Sequence, residues 1–249
     1  MRTLAALLAL ILLLLAALAI FAPASLLDAR LDAATQGHVR LADAAGTVWK
    51  GRGLVTNAQH AWSLPVSWEV DPLALVRGDR AIRLQAPSGG DLPRGDIAWR
   101  NATLTLDGVA FALPAAALNG TMAPGETMAV GGTLALDAPH LRWDGQEGDG
   151  TATLRWSGAR VAGNAATLAL GDVTVNFAPR DGRIQGRIEN RGGDARIDGE
   201  LTLGSEGITA SATLAPLPST PPAAMRALGT LGTPDASGAV RVQWRSANR

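Results

Sequence analysis

From Val39 to its last residues the chain alternates apolar and polar side chains in short runs broken by Gly, Pro, Asp and Asn. A two-residue period places successive side chains on opposite faces of an extended strand, so it specifies half-buried β-strands and excludes an amphipathic helical bundle. Ile97-Ala98-Trp99-Arg100 leads into Thr103-Leu104-Thr105-Leu106, and Ala152 to Trp156 repeats the step. Val173, Val175 and Phe177 point to one face, while Thr174 and Asn176 point to the other. The same rhythm carries Ile184 and Ile188, then Ile197, Leu201 and Leu203, then Ile208, Ala210, Ala212 and Leu214, and finally Val240, Val242 and Trp244. Arg180-Asp181-Gly182, Arg191-Gly192-Gly193-Asp194 and Ser205-Glu206-Gly207 supply residues that tight hairpin turns require. The expected fold is an all-β domain, a bent and elongated antiparallel sheet that curves over its apolar side.

Helix is expected in only two places after residue 24. One is a single turn at Pro72 to Val76, opened by Asp71 and closed by Gly78; the other runs from about Pro221 to Leu231, with Ser219-Thr220 as its cap. The second reads as an apolar plug for one end of the sheet. A soft seam falls near Leu118 to Gly132, where Asn119-Gly120, Pro124-Gly125 and Gly131-Gly132 crowd together. Because alternation resumes on both sides of it, residues 25–249 read as one β-rich domain.

Residues 1–24 are of another kind. Leu4 to Phe21 carries no charge, and at about 1.5 Å per residue such a run reaches most of the way across a hydrocarbon layer roughly 30 Å thick. It exceeds the usual apolar core of a signal peptide, and Pro23 within Ala22-Pro23-Ala24 opposes cleavage, so an uncleaved single-pass anchor is expected. Arg2 ahead of the run places the N-terminus in the cytoplasm and the β-rich domain on the far side.

The remaining chemistry is sparse. The chain has no cysteine, which excludes disulfides, thiolate catalysis, Cys-based metal sites and a lipid-modified cysteine. Lys and Arg total 22 against 22 Asp and Glu, so no basic surface for nucleic acid is expected. His38, His60 and His140 lack metal-ligand spacing. Ser63, Ser67 and Ser157 lack a glycine-flanked nucleophile elbow. Asp107-Gly108, Asp144-Gly145, Asp181-Gly182 and Asp198-Gly199 read as turns. No enzyme activity and no cofactor is expected. Seven tryptophans accompany three phenylalanines and no tyrosine; they serve either to fill a core or to line an open apolar trough, and burial distinguishes the two.

One segment is more particular than the rest. Gly46-Thr47-Val48-Trp49-Lys50-Gly51-Arg52-Gly53 reads as a strand end and a glycine-relieved turn, and Trp68, Pro72, Leu73, Leu75 and Gly78 follow with the spacing WxxxPLxLxxG. An apolar anchor followed by these two elements resembles the type II secretion system protein N family. The resemblance implies a single-span inner-membrane protein of Gram-negative bacteria with a periplasmic β-rich domain, acting as an accessory to the export of folded proteins. Its partners would then be inner-membrane platform or secretin subunits, with membrane lipids as further contacts. It implies no catalytic residue; Gly46, Thr47, Val48, Trp49, Gly51, Trp68, Pro72, Leu73 and Gly78 would mark the family by setting a turn and a core corner. The alternative is a lipid-binding or lipid-transfer module of the AsmA-like type. There the concave sheet would shield acyl chains, with Ala152, Ala210 and Ala212 leaving room on its inner face.

Overall fold

A computed structural model describes residues 21–35, 37–57, 62–87, 90–120, 129–163, 166–204 and 207–247. The expected anchor lies almost wholly outside these residues, as do His60 and most of the 118–132 seam. Among the described residues no helix is long and apolar enough to cross a membrane. The chain divides into two compact units, Met1–Asp91 and Leu92–Arg249.

In the first unit helix α1 (Ser25–Ala34) precedes strands β1 (Arg40–Gly46), β2 (Lys50–Thr56) and β3 (Ser63–Val70), the short helix α2 (Pro72–Val76) and β4 (Arg80–Gln85). The strands pair in chain order, each antiparallel to the next. Helix α1 was not foreseen, because SLLDARLDAA shows no helical apolar stripe wide enough to announce itself. It forms against the sheet: Leu27 and Leu31 pack with Leu41, Val66 and Trp68, and Ala24 just ahead of it is buried. The Asp28 carboxylate accepts two hydrogen bonds from the Arg40 guanidinium, at 3.0 and 2.8 Å, and one from Leu41 N–H at 2.8 Å, which fixes the helix to the start of β1. Helix α2 forms where expected, with Asp71 Oδ1 accepting from Leu73 N–H at 2.9 Å and Pro72 in its first turn.

The second unit is the longer meander: β5 (Arg94–Arg100), β6 (Thr103–Pro114), a 3-10 segment (Ala115–Gly120), β7 (Ala129–Trp143), β8 (Gly148–Ala162), β9 (Thr167–Arg180), β10 (Arg183–Arg191), β11 (Ala195–Gly204), β12 (Gly207–Pro216), helix α3 (Pro222–Leu231) and β13 (Val240–Ala247). Every consecutive pair of strands is antiparallel. Two of the hairpins close on residues with positive φ, Asn101 (47°) with Ala102 (64°), and Asp181 (51°) with Gly182 (73°), the geometry that matches strand twist. Alternation is realised residue by residue: Val173, Val175, Ile184, Ile197 and Leu214 are buried, while Arg183, Arg196 and Asp198 are exposed.

Apolar clusters form along this unit, one of them small, around Ala115, Val130 and Leu134. At one end Leu168, Leu170, Val173, Ala195, Ile197, Leu214 and Val240 close around Ala224, Ala227 and Leu228 of α3. Helix α3 touches both β9 and β13, so the sheet curls around it, and it serves as the plug expected from the sequence. Its cap is not the expected Ser219-Thr220 pair. Pro221 stands at the N-cap with no side-chain bond, and Thr220 Oγ1 instead donates to Asp194 O at 2.5 Å and accepts from Leu217 N–H at 2.7 Å, tying the turn before the helix to β11. At the other end Val109, Ala138, Leu141, Ala152 and Ile184 form a second cluster with Phe111, Trp143 and Phe177 around them.

Two expected turns are strand interior. Asp107-Gly108 lies within β6, where Gly108 at φ 59° falls at the register shift between β5 and β6, and Asp198-Gly199 lies within β11, paired with Thr213 and Ala212. A glycine there clears space for a neighbouring strand: a Cβ on Gly199 would stand 2.6 Å from Ser211 O. Asp144-Gly145 and Asp181-Gly182 do sit at strand connections.

Leu228 is 1% exposed at the centre of the α3 cluster. Leu228→Ala should destabilise the second unit by about 2–5 kcal/mol, read as a fall in the denaturant midpoint followed by tryptophan fluorescence. The surface change Met225→Ala on the same helix, at a residue 43% exposed, should leave the midpoint nearly unchanged.

Candidate functional site

The family-like segment assembles at one end of the first unit's sheet. Strands β1 and β3 run toward this end and β2 and β4 run away from it, so the 47–49 turn and helix α2 both lie there. Gly46 takes φ 98° and pairs with Gly51 across the turn. A Cβ on Gly46 would meet Lys50 O at 2.5 Å, so both conformation and space demand glycine. Thr47 closes the turn through its N–H, which donates to Lys50 O at 2.9 Å, while its Oγ1 accepts from Lys50 N–H at 3.1 Å.

Trp68 is the interior of this corner. It is 7% exposed, and its indole Nε1–H donates to Val48 O at 3.2 Å, so the ring covers the turn from below. Gly51 lies directly opposite it in the β2–β3 register, and a Cβ there would stand 2.5 Å from Trp68 Cζ2 and 2.8 Å from Ala45 O. The ring therefore occupies the volume a side chain at residue 51 would need. Trp49 O accepts from Val70 N–H at 2.6 Å, which joins the turn to the end of β3 just before α2. Gly78 ends the α2 turn at φ 84° with open space around its Cα, so only its backbone conformation calls for glycine. The structure thus brings Gly46, Thr47, Val48, Trp49, Gly51, Trp68, Pro72, Leu73 and Gly78 to one end of one sheet.

The segment leading into α1 is built into the same corner. Ala22 O accepts from Val48 N–H at 2.9 Å, Ala24 N–H donates to Gly46 O at 3.1 Å, and Pro23 bridges Thr47. These bonds were not legible in the sequence, since nothing in Ala22-Pro23-Ala24 marks a strand. Asp28, a few residues on, has its carboxyl lowered from 3.8 to about 2. The Arg40 guanidinium contributes most, followed by the Leu41 N–H.

Other candidate chemistry is placed as follows. His38 is exposed, with Nδ1 2.7 Å from Thr35 O. His140 sits on the polar face of β7 between two carboxylates, with Nδ1 2.6 Å from Asp107 and Nε2 3.2 Å from Asp149. The Asp107 hydrogen bond raises its pKa most, and Asp149 adds to it. Strand pairing alone creates this row, because Asp107 faces His140 across β6–β7. Each ring nitrogen engages a different carboxylate, and among the described residues no group of His, Cys, Asp and Glu could hold a metal ion. Ser63 and Ser67 lie on β3 and Ser157 on β8, each within strand pairing.

The tryptophans divide between two roles. Trp143 Nε1–H donates to Gly182 O at 3.3 Å and Trp156 Nε1–H to Gly131 O at 2.9 Å, so both rings fill the core while satisfying their polar edge. Trp99 and Trp244 are 43% and 55% exposed. The room expected beside Ala152 is taken up by Val109, Ala138, Leu141 and Ile184. A depression of about 420 Å³ in the second unit is lined by polar groups such as Gln146, Asp181, Arg183, Thr202, Thr209 and Arg245.

The fold is an antiparallel strand meander, and its family-like segment forms a structural corner of the first unit. The sequence profile described as type II secretion system (T2SS), protein N matches residues 37–243, and the chain belongs to that family, an accessory component of protein transport by type II secretion. Comparison with curated proteins and with solved structures gives no match.

Two measurements test the corner. Gly51→Ala should destabilise the first unit by about 1–3 kcal/mol through overpacking against Trp68, with a shift in Trp emission, whereas Gly78→Ala should cost only about 1–2 kcal/mol of left-handed backbone strain and leave the emission unchanged. Because the folded-state pKa of Asp28 is depressed, its stabilising contribution is complete above pH 4 and is lost as pH falls toward 2. Asp28→Asn should flatten that part of the acid unfolding profile and lower stability at neutral pH.

Proposed function

We propose that the chain is a non-enzymatic, single-span inner-membrane component of a type II secretion system, with its N-terminus cytoplasmic and its β-rich part periplasmic. The observation that carries this reading is the family match over residues 37–243. The uncharged run from Leu4 to Phe21 supports the anchor, and Arg2 ahead of it supports the orientation.

Its task is to contact other secretion subunits of the inner-membrane platform or the secretin. Two surface features of the second unit suit such contact. Strand β13 ends the order β5 to β13 of that unit, so beyond the bridge between Pro234 and Val240 one side of it offers backbone N–H and C=O groups to a partner strand. Trp244 on β13 is 55% exposed and Trp99 on β5 is 43% exposed, and large rings at a surface are favoured anchors for a partner.

Placing a photo-crosslinking amino acid at Trp244 and, separately, at Trp99 in living cells tests the proposal. Adducts with platform or secretin subunits are expected, more strongly from Trp244 if strand addition is the mode. Adducts with phospholipid alone at both positions would overturn the subunit-contact reading.

A further inference from the structure

The exposed apolar residues of the first unit are unevenly placed. Leu73 and Leu75 of α2 are 64% and 40% exposed, and Phe21 is 74% exposed. Leu26 of α1 and Ile82 of β4 are also exposed, at 51% and 38%, and single exposed residues of this kind are ordinary, but Leu73, Leu75 and Phe21 gather at one end of the sheet. Within α2, Ala74 turns inward and is 5% exposed, while Leu73 and Leu75 flank it on either side. The core has no need of these leucines, and neither the Asp71 cap nor the Pro72 start uses their side chains.

This end is also where the apolar run of the sequence stops. Phe21 is its last residue, and the next carbonyl, Ala22 O, already accepts a hydrogen bond from Val48. From Val48 and Trp49 the connection passes through Trp49 O to Val70 N–H, and α2 starts two residues later. Adjacent strands lie about 4.8 Å apart, so α2 sits roughly 10–15 Å to the side of the point where the run ends. One peptide step spans at most about 3.8 Å, so the corner cannot stand far off from a bilayer that holds the run. The interfacial layer on each side of the hydrocarbon is several Å deep, enough to take leucine side chains presented at that height.

We infer that Leu73 and Leu75 form an apolar foot that seats in the interfacial layer of the membrane beside the anchor. The occupant of this face is the lipid surface, and the inference rests on the membrane-anchor reading given above. The hydrogen bonds that join Ala22 and Ala24 to the 46–48 turn would then carry the orientation set by the bilayer directly into the sheet. A foot beside the anchor adds a second point of support, which limits rotation of the first unit about the anchor. Leu73 thereby acquires a task that differs from that of Gly51 and Trp68: they build the corner, and it seats the corner on lipid.

The absence of cysteine makes a direct test available, because a single introduced cysteine takes a nitroxide label at that position alone. Full-length Leu73→Cys, Leu12→Cys and Ser63→Cys proteins would be labelled and reconstituted in vesicles of phosphatidylethanolamine and phosphatidylglycerol. Collision with oxygen and with a water-soluble nickel chelate would then be compared by electron paramagnetic resonance. Ser63 is exposed at the opposite end of β3 and should collide mainly with the nickel reagent. The expected result is an oxygen preference at Leu12 and a weaker oxygen preference at Leu73. Oxygen preference at Leu12 with nickel preference at Leu73, equal to that at Ser63, would overturn the foot and leave the anchor standing. Shielding of Leu73 from both reagents would show that protein covers the foot and would also overturn the inference. Nickel preference at Leu12 would overturn the anchor reading itself.

Discussion

Each sheet has one apolar face, and that face must be hidden without a second sheet to pack on it. An antiparallel meander leaves its apolar side to water unless it curls or is covered. Both devices are used. In the first unit α1 lies on the face through Leu27 and Leu31, and in the second the strands from β9 to β13 curl around Ala224, Ala227 and Leu228 of α3. Long strands, bulges and glycines within strands follow from the same need, because a sheet must bend to close over a single helix. The interruptions of register at Asp137 to His140 and at Trp156 to Ala159 fall in the long strands β7 and β8, where bending is required.

The corner around Trp68 shows how a short motif can be structural and still bear on function. A buried indole, a glycine that makes room for it, and a turn whose carbonyl accepts the indole N–H leave little freedom to the 46–51 segment. The rigid turn then offers its own N–H of Val48 and carbonyl of Gly46 to residues 22 and 24. Membership of the type II secretion system protein N family gives this arrangement its setting. Hydrogen bonds at this junction hold residues 22–24 against the turn of the first unit's sheet.

Polar interactions on the outer faces play a smaller part in stability. Lys50 and Glu69 approach to 3.4 Å with both side chains open to solvent, a geometry in which screening removes most of the Coulomb gain. The Asp107–His140–Asp149 row is equally open, and its interest lies in its charge rather than in its energy: protonation of His140 places a positive centre between two carboxylates on the polar face of β7. Asp28 differs because its carboxylate also satisfies a backbone N–H, and this joins helix to strand in a way a surface ion pair does not.

Much of this architecture was legible in the residues. Alternation located the strands from Ile97 to Trp244, Asp181-Gly182 fell at a hairpin, and Asp71-Pro72 opened α2, because each is dictated by local conformational preference. Helix α1 was not legible, since SLLDARLDAA owes its form to packing on Leu41, Val66 and Trp68 rather than to its own periodicity. Asp107-Gly108 and Asp198-Gly199 have the composition of turns, yet neighbouring strands keep them within β6 and β11, and local chemistry cannot report a partner strand. The same limit applies to the corner. By itself the sequence determined a strand meander with one apolar face, an uncharged N-terminal run and a glycine-tryptophan motif. Only the tertiary structure decided that Gly51 faces Trp68, that Ala22 and Ala24 bond to the turn, and that Leu73 lies at the same end, because these are contacts between segments far apart in the chain.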